Sequence, residues 1–202
     1  WACHSDGTPW SYALTTGSSS ISHSLRAALA IAEHLGEDRP QWRDKGNRLV
    51  QVLRNTPEAF APKNRWAMDW YYPVLTGVIQ GTEGHDRLES KRNEFEIADK
   101  GIRCVSDRPW ITTAETCECA MAYIAVGEND HGIELFTKIQ NYRDEKGRYL
   151  TGVVYPENVS FPENEYSTYS AAAVILAADA ILGITPAKNI FTDHGFLPSI
   201  SE

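Results

Sequence analysis

The strongest constraint on the fold is an internal repeat of apolar segments that each end in glycine. These segments lack the polar face of an amphipathic helix, so each is predicted to be a helix buried on every side, with glycine as its C-terminal residue. Their glycines are 45, 46 and 56 residues apart, which indicates a repeated unit. The four segments are residues 27–36, 72–81, 118–127 and 174–183.

Amphipathic segments lie between the apolar ones. Residues 41–54, 85–97 and 130–142 carry apolar side chains on one stripe and charges elsewhere, a pattern typical of helices with one face in water. The alternation predicts inner apolar and outer amphipathic helices that form a ring or a curved solenoid. We expect one all-α domain over residues 1–202, with inner helices at 20–35, 68–80, 112–126 and 165–182 and outer helices at 40–54, 85–97 and 130–142.

The last interval between glycines is the longest, and its connection has the composition of strands. Residues 143–163 contain β-branched residues bounded by Gly152 and Pro156. Such runs between turn-forming residues are typical of short strands. A short β-hairpin is therefore expected near residues 148–156.

Charge and hydropathy exclude several classes of partner. The net charge is −8 and no basic cluster is present, so neither nucleic acid nor an anionic membrane surface is expected. No apolar run approaches the roughly 20 residues that span a bilayer, and no signal-peptide pattern is present, so we expect a cytoplasmic protein without an integral membrane segment. Because the sequence opens at Trp1 rather than Met, we expect it to be part of a longer chain. Buried thiols are expected at cysteines 3, 104, 117 and 119.

Two carboxylates share one level of the repeat. Counting back twelve residues from each glycine gives Ser24, Asp69, Glu115 and Ala171. Neighbouring helices pack about 8–10 Å apart, so Asp69 and Glu115 are predicted to face one cavity and are the candidate catalytic residues. Acids in apolar surroundings have raised pKa values, which suits general acid catalysis. The alternative is that both are only helix N-terminal residues favoured by the helix dipole.

Aromatic residues gather near the same level. Their faces stabilise cations or stack on sugars and prenyl chains, although plain core packing is the alternative. A histidine one position before this level is also a candidate, although a lone histidine near an apolar face is usually a hydrogen-bonded core residue. The candidate substrate-binding residues are Trp66, Trp70, Tyr71, Trp110, Glu118, Tyr166, Tyr169 and His23.

Three features give the chain a resemblance to the prenyltransferase and squalene-cyclase repeat superfamily. The first is the repeated apolar helix that ends in glycine. The second is a pair of Asp-Gly-aromatic turns, at residues 6–10 and 140–149, which are similar to the family's Gln-Trp turn. The third is Glu115-Thr116-Cys117, which resembles the Asp-Thr-Cys at an inner-helix start in protein prenyltransferase β-subunits.

The resemblance implies an α/α toroid, with the remainder of the ring supplied by helices outside this sequence as a partner. In the prenyltransferases the Asp and Cys of the triplet bind zinc together with a His, and no His stands near residues 166–169, where it would fall. The pairs Cys3-His4 and Cys117-Cys119 offer soft ligands, but no set has the fixed spacing of a zinc site. We therefore predict no metal and no cofactor.

Three functions are compatible with these features. The first is a prenyltransferase-like or terpene-cyclase-like enzyme that acts on an isoprenoid or another small hydrophobic molecule in an aromatic-lined cavity. The second is a carbohydrate-active glycosidase or lyase on an (α/α)6 barrel that uses the same two acids. The third is a non-catalytic toroid that binds a lipid or a protein. An apolar cavity floor favours the first, polar walls the second and a filled centre the third.

Overall fold

The computed structural model describes residues 3–199, which are mostly helical with small antiparallel sheets. Within this part of the chain there are seven α-helices, and short 3-10 turns follow α2, α6 and α7. The helices are α1 Thr15–His34, α2 Pro40–Asn55, α3 Ala67–Leu75, α4 Gly81–Phe95, α5 Thr113–Ala125, α6 Asn129–Lys138 and α7 Thr168–Leu182. No helix among residues 3–199 has the length and apolar character needed to cross a membrane.

The helices form two layers, in the order that the sequence predicts. Helix α1 packs on α3, α3 on α5 and α5 on α7, so these four form an inner row. Helices α2, α4 and α6 pack on α1, α3 and α5 respectively, as an outer row. The prediction of a mostly helical domain is confirmed, whereas a closed ring is not evident from these contacts.

Helix α5 is the centre of the core because it has neighbours on all sides. It packs against α3, α6 and α7, and most of its residues are buried. The outer helix α6 approaches it closely at Gly132, where an added Cβ would lie 2.8 Å from the Ala120 carbonyl oxygen. Small residues at the contact therefore set the short distance between the two layers here.

Helix α3 is shorter than predicted and ends at Leu75 rather than near residue 80. Pro73 lies inside it and has no backbone N–H, so the Asp69 carbonyl loses its helical donor. The Arg87 guanidinium of α4 replaces that donor: its Nη2 donates to the Asp69 carbonyl at 2.8 Å, and its Nε donates to the Trp70 carbonyl at 2.8 Å. A side chain of the outer layer thus supplies hydrogen-bond donors to the backbone carbonyls of an inner helix.

The chain is not purely helical, and the predicted hairpin is displaced. Strand β4, Gly152–Val154, pairs with β5, Val159–Ser160, so the turn spans residues 155–158 and the second strand lies beyond the predicted range of 148–156. β4 also pairs with β3, Trp110–Thr112, which leads directly into α5. β1, Glu96–Ile97, and β2, Gly101–Ile102, form a second small sheet. The local pattern identified a strand, but its partner at β3 is about 40 residues away, beyond the reach of a local pattern.

The tail after α7 folds back onto α1. Arg26 of α1 is 6% exposed, and its guanidinium donates to the carbonyl oxygens of His194 at 2.5 Å, Leu197 at 2.9 Å and Pro198 at 3.0 Å. These hydrogen bonds satisfy a buried charge and fix the tail. Phe191 of the same tail is thereby held against the inner helices.

Candidate active site

The N-terminal ends of the four inner helices lie at the same end of the molecule. Thr16, in the first turn of α1, donates to the Asp69 carboxylate in the first turn of α3 at 3.5 Å. Tyr71 of α3 and Tyr169 in the first turn of α7 both donate to Glu118 of α5. Side chains from sequence-distant helices therefore converge at this end, which is where the repeat predicted the functional groups.

Glu118 is the centre of a tyrosine cluster. It is 7% exposed and accepts hydrogen bonds from the hydroxyls of Tyr71 at 2.5 Å, Tyr72 at 3.1 Å and Tyr169 at 2.6 Å. Burial raises the pKa of Glu118, and the nearby charge of Glu115 raises it further, against the opposing effect of the tyrosine hydroxyls. The tyrosine hydroxyls hold the carboxyl group in a fixed orientation. Because its pKa is raised, it keeps its proton to a higher pH than an exposed glutamate does.

A pocket of about 190 Å³ opens beside Glu118 and is lined by all four inner helices. This volume corresponds to roughly six water molecules, on the scale of a single monosaccharide. Its polar groups come from α1, α3, α5 and α7. They are Ser20, His23, Ser24, Tyr72, Thr76, Glu118 and Tyr169.

The rest of the pocket wall is apolar. Leu75 of α3 and Met121 of α5, each 2% exposed, are joined by Leu176 of α7 and by Phe191 of the tail. These side chains also pack against or belong to the main hydrophobic core. The pocket thus has a hydrogen-bonding part and a hydrophobic part, a combination common in small-molecule sites.

His23 is a buried polar group on this pocket. It is 8% exposed, and its ring stacks on Phe191 with centroids 4.8 Å apart. Neither ring nitrogen makes a hydrogen bond within residues 3–199, although the backbone of Thr76 lies close enough to act on its pKa. Burial, together with the positive charges of Arg26 and His194, lowers the pKa of His23 from 6.5 to about 4.

The lowered pKa of His23 predicts a loss of stability in acid. Because the unfolded chain takes up the proton near pH 6.5 and the folded chain only near pH 4, the stability from a neutral His23 is complete above pH 6.5 and is lost as the pH falls towards 4. At about 1.4 kcal/mol per pKa unit, we expect His23 to contribute roughly 3 kcal/mol to the fall in unfolding free energy between pH 7 and pH 4. Urea denaturation of the wild type and of His23→Leu across this range measures the difference.

The other charged groups near His23 are present in both proteins, so the difference between the two isolates this residue. They are Arg26, His194 and, across the pocket, Glu118. His34→Leu, at an exposed position of the same helix, should leave the slope of stability against pH unchanged. Equal slopes for the wild type and His23→Leu would contradict the prediction.

Asp69 lies outside this pocket. It is half-buried and lines a separate polar cavity of about 140 Å³ with Trp70, Arg87 and Lys91. Burial raises its pKa, and the positive charge of Arg87 opposes that rise. Asp69 is therefore near the shared end of the inner helices, but it faces the junction of α3 with α4 and α1.

Glu115 is more closely connected to the Glu118 cluster than Asp69 is. It is half-buried one turn before Glu118 on α5, and its charge raises the pKa of Glu118 and of Tyr71, Tyr72 and Tyr169. The structure therefore brings Glu115 and Glu118 together, and it does not place Asp69 and Glu115 on one pocket.

The predicted aromatic residues divide between core and surface. Trp70 is 3% exposed; it stacks on Phe95 with centroids 5.4 Å apart, and its indole N–H donates to the Arg87 carbonyl at 2.8 Å. It points towards the outer layer and not into the Glu118 pocket. Trp66 precedes α3 and is 44% exposed under the guanidinium of Arg65.

The remaining predicted rings lie near the three-stranded sheet. Trp110 of β3 stacks on Phe161 with centroids 4.5 Å apart. Tyr166 lies under the guanidinium of Arg148, 4.1 Å from its ring centroid. Of the aromatic residues predicted from sequence, Tyr71 and Tyr169 are the ones that contact Glu118.

The level predicted for α1 is wrong by about two turns. Thr16 contacts Asp69, and Thr16 is eight residues before Ser24, the position that the repeat placed at this level. His23 lies accordingly beside Thr76, near the other end of α3. One reason is that Gly81, predicted to end the second apolar helix, is instead the first residue of α4. The other is length: α1 has 20 residues and α3 has 9, so counting back from the glycines does not reach the same height.

Sequence reasoning missed Tyr72, Phe191, Met121 and Leu176. The sequence could have indicated Tyr72, because Tyr72 and Glu118 are each nine residues before the glycines of their segments, Gly81 and Gly127. Phe191 could not be found this way, since it reaches the pocket through the folded-back tail.

The candidate metal ligands do not form one group. Cys117 and Cys119 are buried in α5, Cys104 is half-buried and Cys3 is exposed; burial raises the pKa of Cys104 to about 11. Among residues 3–199, Glu96, His131 and Glu134 do lie close together. Lys138 donates to both Glu96 and Glu134 at 2.9 Å, and Arg92 donates to Glu96 at 3.0 Å, so protein cations already balance these carboxylates.

Comparison with known proteins gives a relative of the glycosidase class. Over 191 residues the chain is 44% identical to the MMP endo-(1,4)-3-O-methyl-alpha-D-mannosidase of Mycolicibacterium hassiacum. The aligned region is 95% of this chain and 53% of the relative, so the chain spans about half the length of that curated protein. No family model matches the chain.

This similarity corrects the functional interpretation of the sequence. The resemblance to the prenyltransferase and squalene-cyclase superfamily, and with it the prenyltransferase-like or terpene-cyclase-like function, is wrong, because the relative is named a mannosidase. The physical reason is that apolar helices ending in glycine report how inner helices pack, and packing does not specify chemistry. The finding favours the carbohydrate-active alternative.

Proposed function

We propose that this chain is part of a glycosidase that cleaves internal bonds of an α-(1→4)-linked polymer of 3-O-methylmannose. The observation that carries the proposal is the 44% identity to a protein named for that activity, over 95% of the chain. The pocket shared by the four inner helices supports it, since a buried carboxyl group and hydroxyl-bearing side chains line one wall.

Glu118 is proposed as the proton donor. Cleavage of a glycosidic bond breaks the bond between the anomeric carbon and the leaving oxygen, and that oxygen takes a proton from a carboxylic acid. A carboxyl group whose pKa is raised by burial retains this proton at the pH of the reaction. The tyrosine hydroxyls hold the carboxyl group in place before and after the transfer.

A second carboxylate must accept a proton from the attacking water or attack the anomeric carbon itself. Two sequence-predicted acids are candidates. We favour Glu115, because its charge acts on Glu118 and on all three tyrosines. Asp69 is the second candidate, since its pKa is also raised by burial and its cavity is lined by polar side chains.

The remaining predicted residues are proposed either as sugar contacts or as supports of the site. Tyr71 and Tyr169 position Glu118, and His23 lines the same pocket. Trp66, 44% exposed, offers a ring face on which a further sugar unit of a polymer can stack. Three further residues are proposed to support this end of the fold, because each packs against another ring or a guanidinium. They are Trp70, Trp110 and Tyr166.

The architecture is proposed as one half of an α/α toroid, because both end helices of the inner row expose apolar stripes. On α1, Ile21, Ile31 and Leu35 are 48%, 62% and 66% exposed; on α7, Ile175 and Leu182 are 68% and 66% exposed. Exposed apolar surface of this extent marks an interaction site. The occupant we propose is a set of further helical repeats of the same kind, which suits a relative about twice as long as this chain.

A charge placed on the α7 stripe tests the toroid. In the complete protein, Ile175→Lys should lower the melting temperature by several degrees, because the ammonium group would be buried against the added repeats. Val159→Lys, at a position 56% exposed in β5, is the matched control and should have little effect. If both variants have the melting temperature of the wild type, the α7 stripe is exposed to solvent in the complete protein and the ring proposal fails.

The activity is tested on the complete protein with oligosaccharides of α-(1→4)-linked 3-O-methylmannose. New reducing ends within the chain, rather than release of single terminal units, are the expected products. An α-(1→4)-linked glucose oligosaccharide is the control substrate and should not be cleaved. If no reducing ends appear from the methylated substrate, the proposed function is overturned.

A further inference from the structure

The pocket beside Glu118 combines hydrogen-bonding and apolar side chains in one small space. The C–H faces of an unmodified sugar pack on apolar side chains, but each of its hydroxyl groups still needs a hydrogen-bonding partner or water. Here carboxyl, hydroxyl and imidazole groups line the pocket together with the apolar side chains of Leu75, Met121, Leu176 and Phe191. The pocket therefore suits a sugar that carries both hydroxyl groups and an apolar substituent.

His23 indicates that the pocket takes a ligand. The residue is 8% exposed and lines the pocket. Neither ring nitrogen has a hydrogen-bond partner within the described residues. A neutral imidazole carries one donor and one acceptor, which matches a sugar hydroxyl. Buried polar groups without partners are rare and call for an explanation, and a bound hydroxyl group provides one.

We propose that the apolar wall of this pocket, formed by Met121, Leu176 and Phe191, holds the methyl ether of a 3-O-methylated sugar unit, while Glu118 and His23 face its hydroxyl groups. This inference rests on the proposed function and adds the residues that select the substrate. A methyl ether placed there removes its CH3 from water. An unmethylated unit would place a hydroxyl group against carbon atoms without a hydrogen-bond partner, which is unfavourable.

The apolar wall is built from α5, α7 and the tail, so the selectivity is a property of the assembled inner row. Leu176 is half-buried on α7, and Met121 is 2% exposed on α5 one turn after Glu118. Phe191 stacks on the His23 imidazole and holds it in place, and Phe191 itself also lines the pocket. The ether-binding wall and the proposed proton donor are thus neighbours on α5.

The test compares kcat/KM for two oligosaccharides of equal length, one 3-O-methylated and one not, in the complete protein. The wild type should prefer the methylated substrate by about tenfold or more, the range for one methylene-sized group in a hydrophobic pocket. Leu176→Asn, which keeps the size of the side chain but makes it polar, should reduce the preference to about threefold or less. Leu176→Met, which keeps the wall apolar, should retain the preference.

A measurement on the wild type covers the case in which Leu176→Asn does not fold. With 3-O-methyl mannose as the probe, nuclear Overhauser contacts are expected from the O-methyl protons to the methyl groups of Met121 and Leu176. The absence of these contacts at saturating probe, or an unchanged preference in folded Leu176→Asn, overturns the inference while the proposed function stands. Hydrolysis of neither oligosaccharide by the wild type overturns both, and equal hydrolysis of the two overturns the inference alone.

Discussion

Glu118→Gln is expected to lower kcat for oligosaccharide hydrolysis by on the order of 10³-fold and to leave the fold intact. Glutamine has the volume of glutamate, and its carbonyl oxygen still accepts a hydrogen bond from a tyrosine hydroxyl of the cluster. It cannot give a proton to the leaving oxygen. The loss therefore falls on the chemical step, and circular dichroism and thermal melting should show a folded protein.

Substitutions of the two other candidate acids, Glu115 and Asp69, supply a comparison for the loss of activity in Glu118→Gln. Glu115→Gln should cause a loss similar in size if Glu115 is the second carboxylate. Asp69→Asn should then change activity little and cost at most about 1 kcal/mol of stability, because asparagine still suits a helix start. The reverse ranking of these two variants would assign the second carboxylate to Asp69.

A purely structural role for Glu118 has a different signature. The carboxylate joins α3, α5 and α7 through its tyrosine partners, so loss of one charged hydrogen bond would cost about 1–3 kcal/mol of stability. In that case Glu118→Gln would lower the melting temperature, and kcat measured below it would stay near the wild-type value. The basic limb of the pH–rate profile, which the ionisation of a proton donor sets, would also stay in place, and that outcome contradicts the proton-donor role.

Trp70→Ala is expected to lower the free energy of unfolding by about 3–5 kcal/mol, the usual cost of removing a large aromatic side chain from a core. Trp70 is 3% exposed, stacks on Phe95 and donates its indole N–H to the Arg87 carbonyl. The substitution leaves a cavity between α3 and α4 and removes one hydrogen bond to the Arg87 carbonyl, which keeps the one from the Ser90 hydroxyl. Urea denaturation with a fixed slope measures the loss.

Trp66→Ala is the matched control, because it removes the same side chain four residues earlier. Trp66 is 44% exposed and rests under the Arg65 guanidinium, so its loss should cost at most about 1 kcal/mol. If the two variants are equally destabilised, Trp70 is not the core residue that the structure shows. If Trp66→Ala also lowers affinity for long oligosaccharides, that supports its proposed role as a sugar contact.

The identity of the helices could be predicted because it depends on local patterns. Apolar runs such as residues 118–127 have no side to present to water, whereas residues 85–97 carry charges on all but one stripe, so inner and outer helices differ in composition. Helix α3 shows the limit. Pro73 lies inside it without ending it, because Arg87 takes the carbonyl that the proline frees, and the helix ends just before Gly77, whose φ is +74°.

The candidate site could be predicted only in part. Asp69 and Glu115 are in the first turns of α3 and α5, as the spacing from their glycines indicated. The spacing could not reveal that Asp69 faces α4 and α1 or that Glu118 meets three tyrosines, since a rotation of about 100° per residue decides which neighbour a side chain faces.

The sequence by itself determined that this chain folds into alternating inner and outer helices, because the periodicity of apolar residues fixes which faces must leave water. It did not determine the chemistry, since the same repeat is compatible with very different substrates. Only the tertiary structure decided that His23, Glu118 and Phe191 line one pocket. These residues come from α1, α5 and the tail, and distances between such distant segments depend on helix length, rotation and loop path, which no local pattern contains.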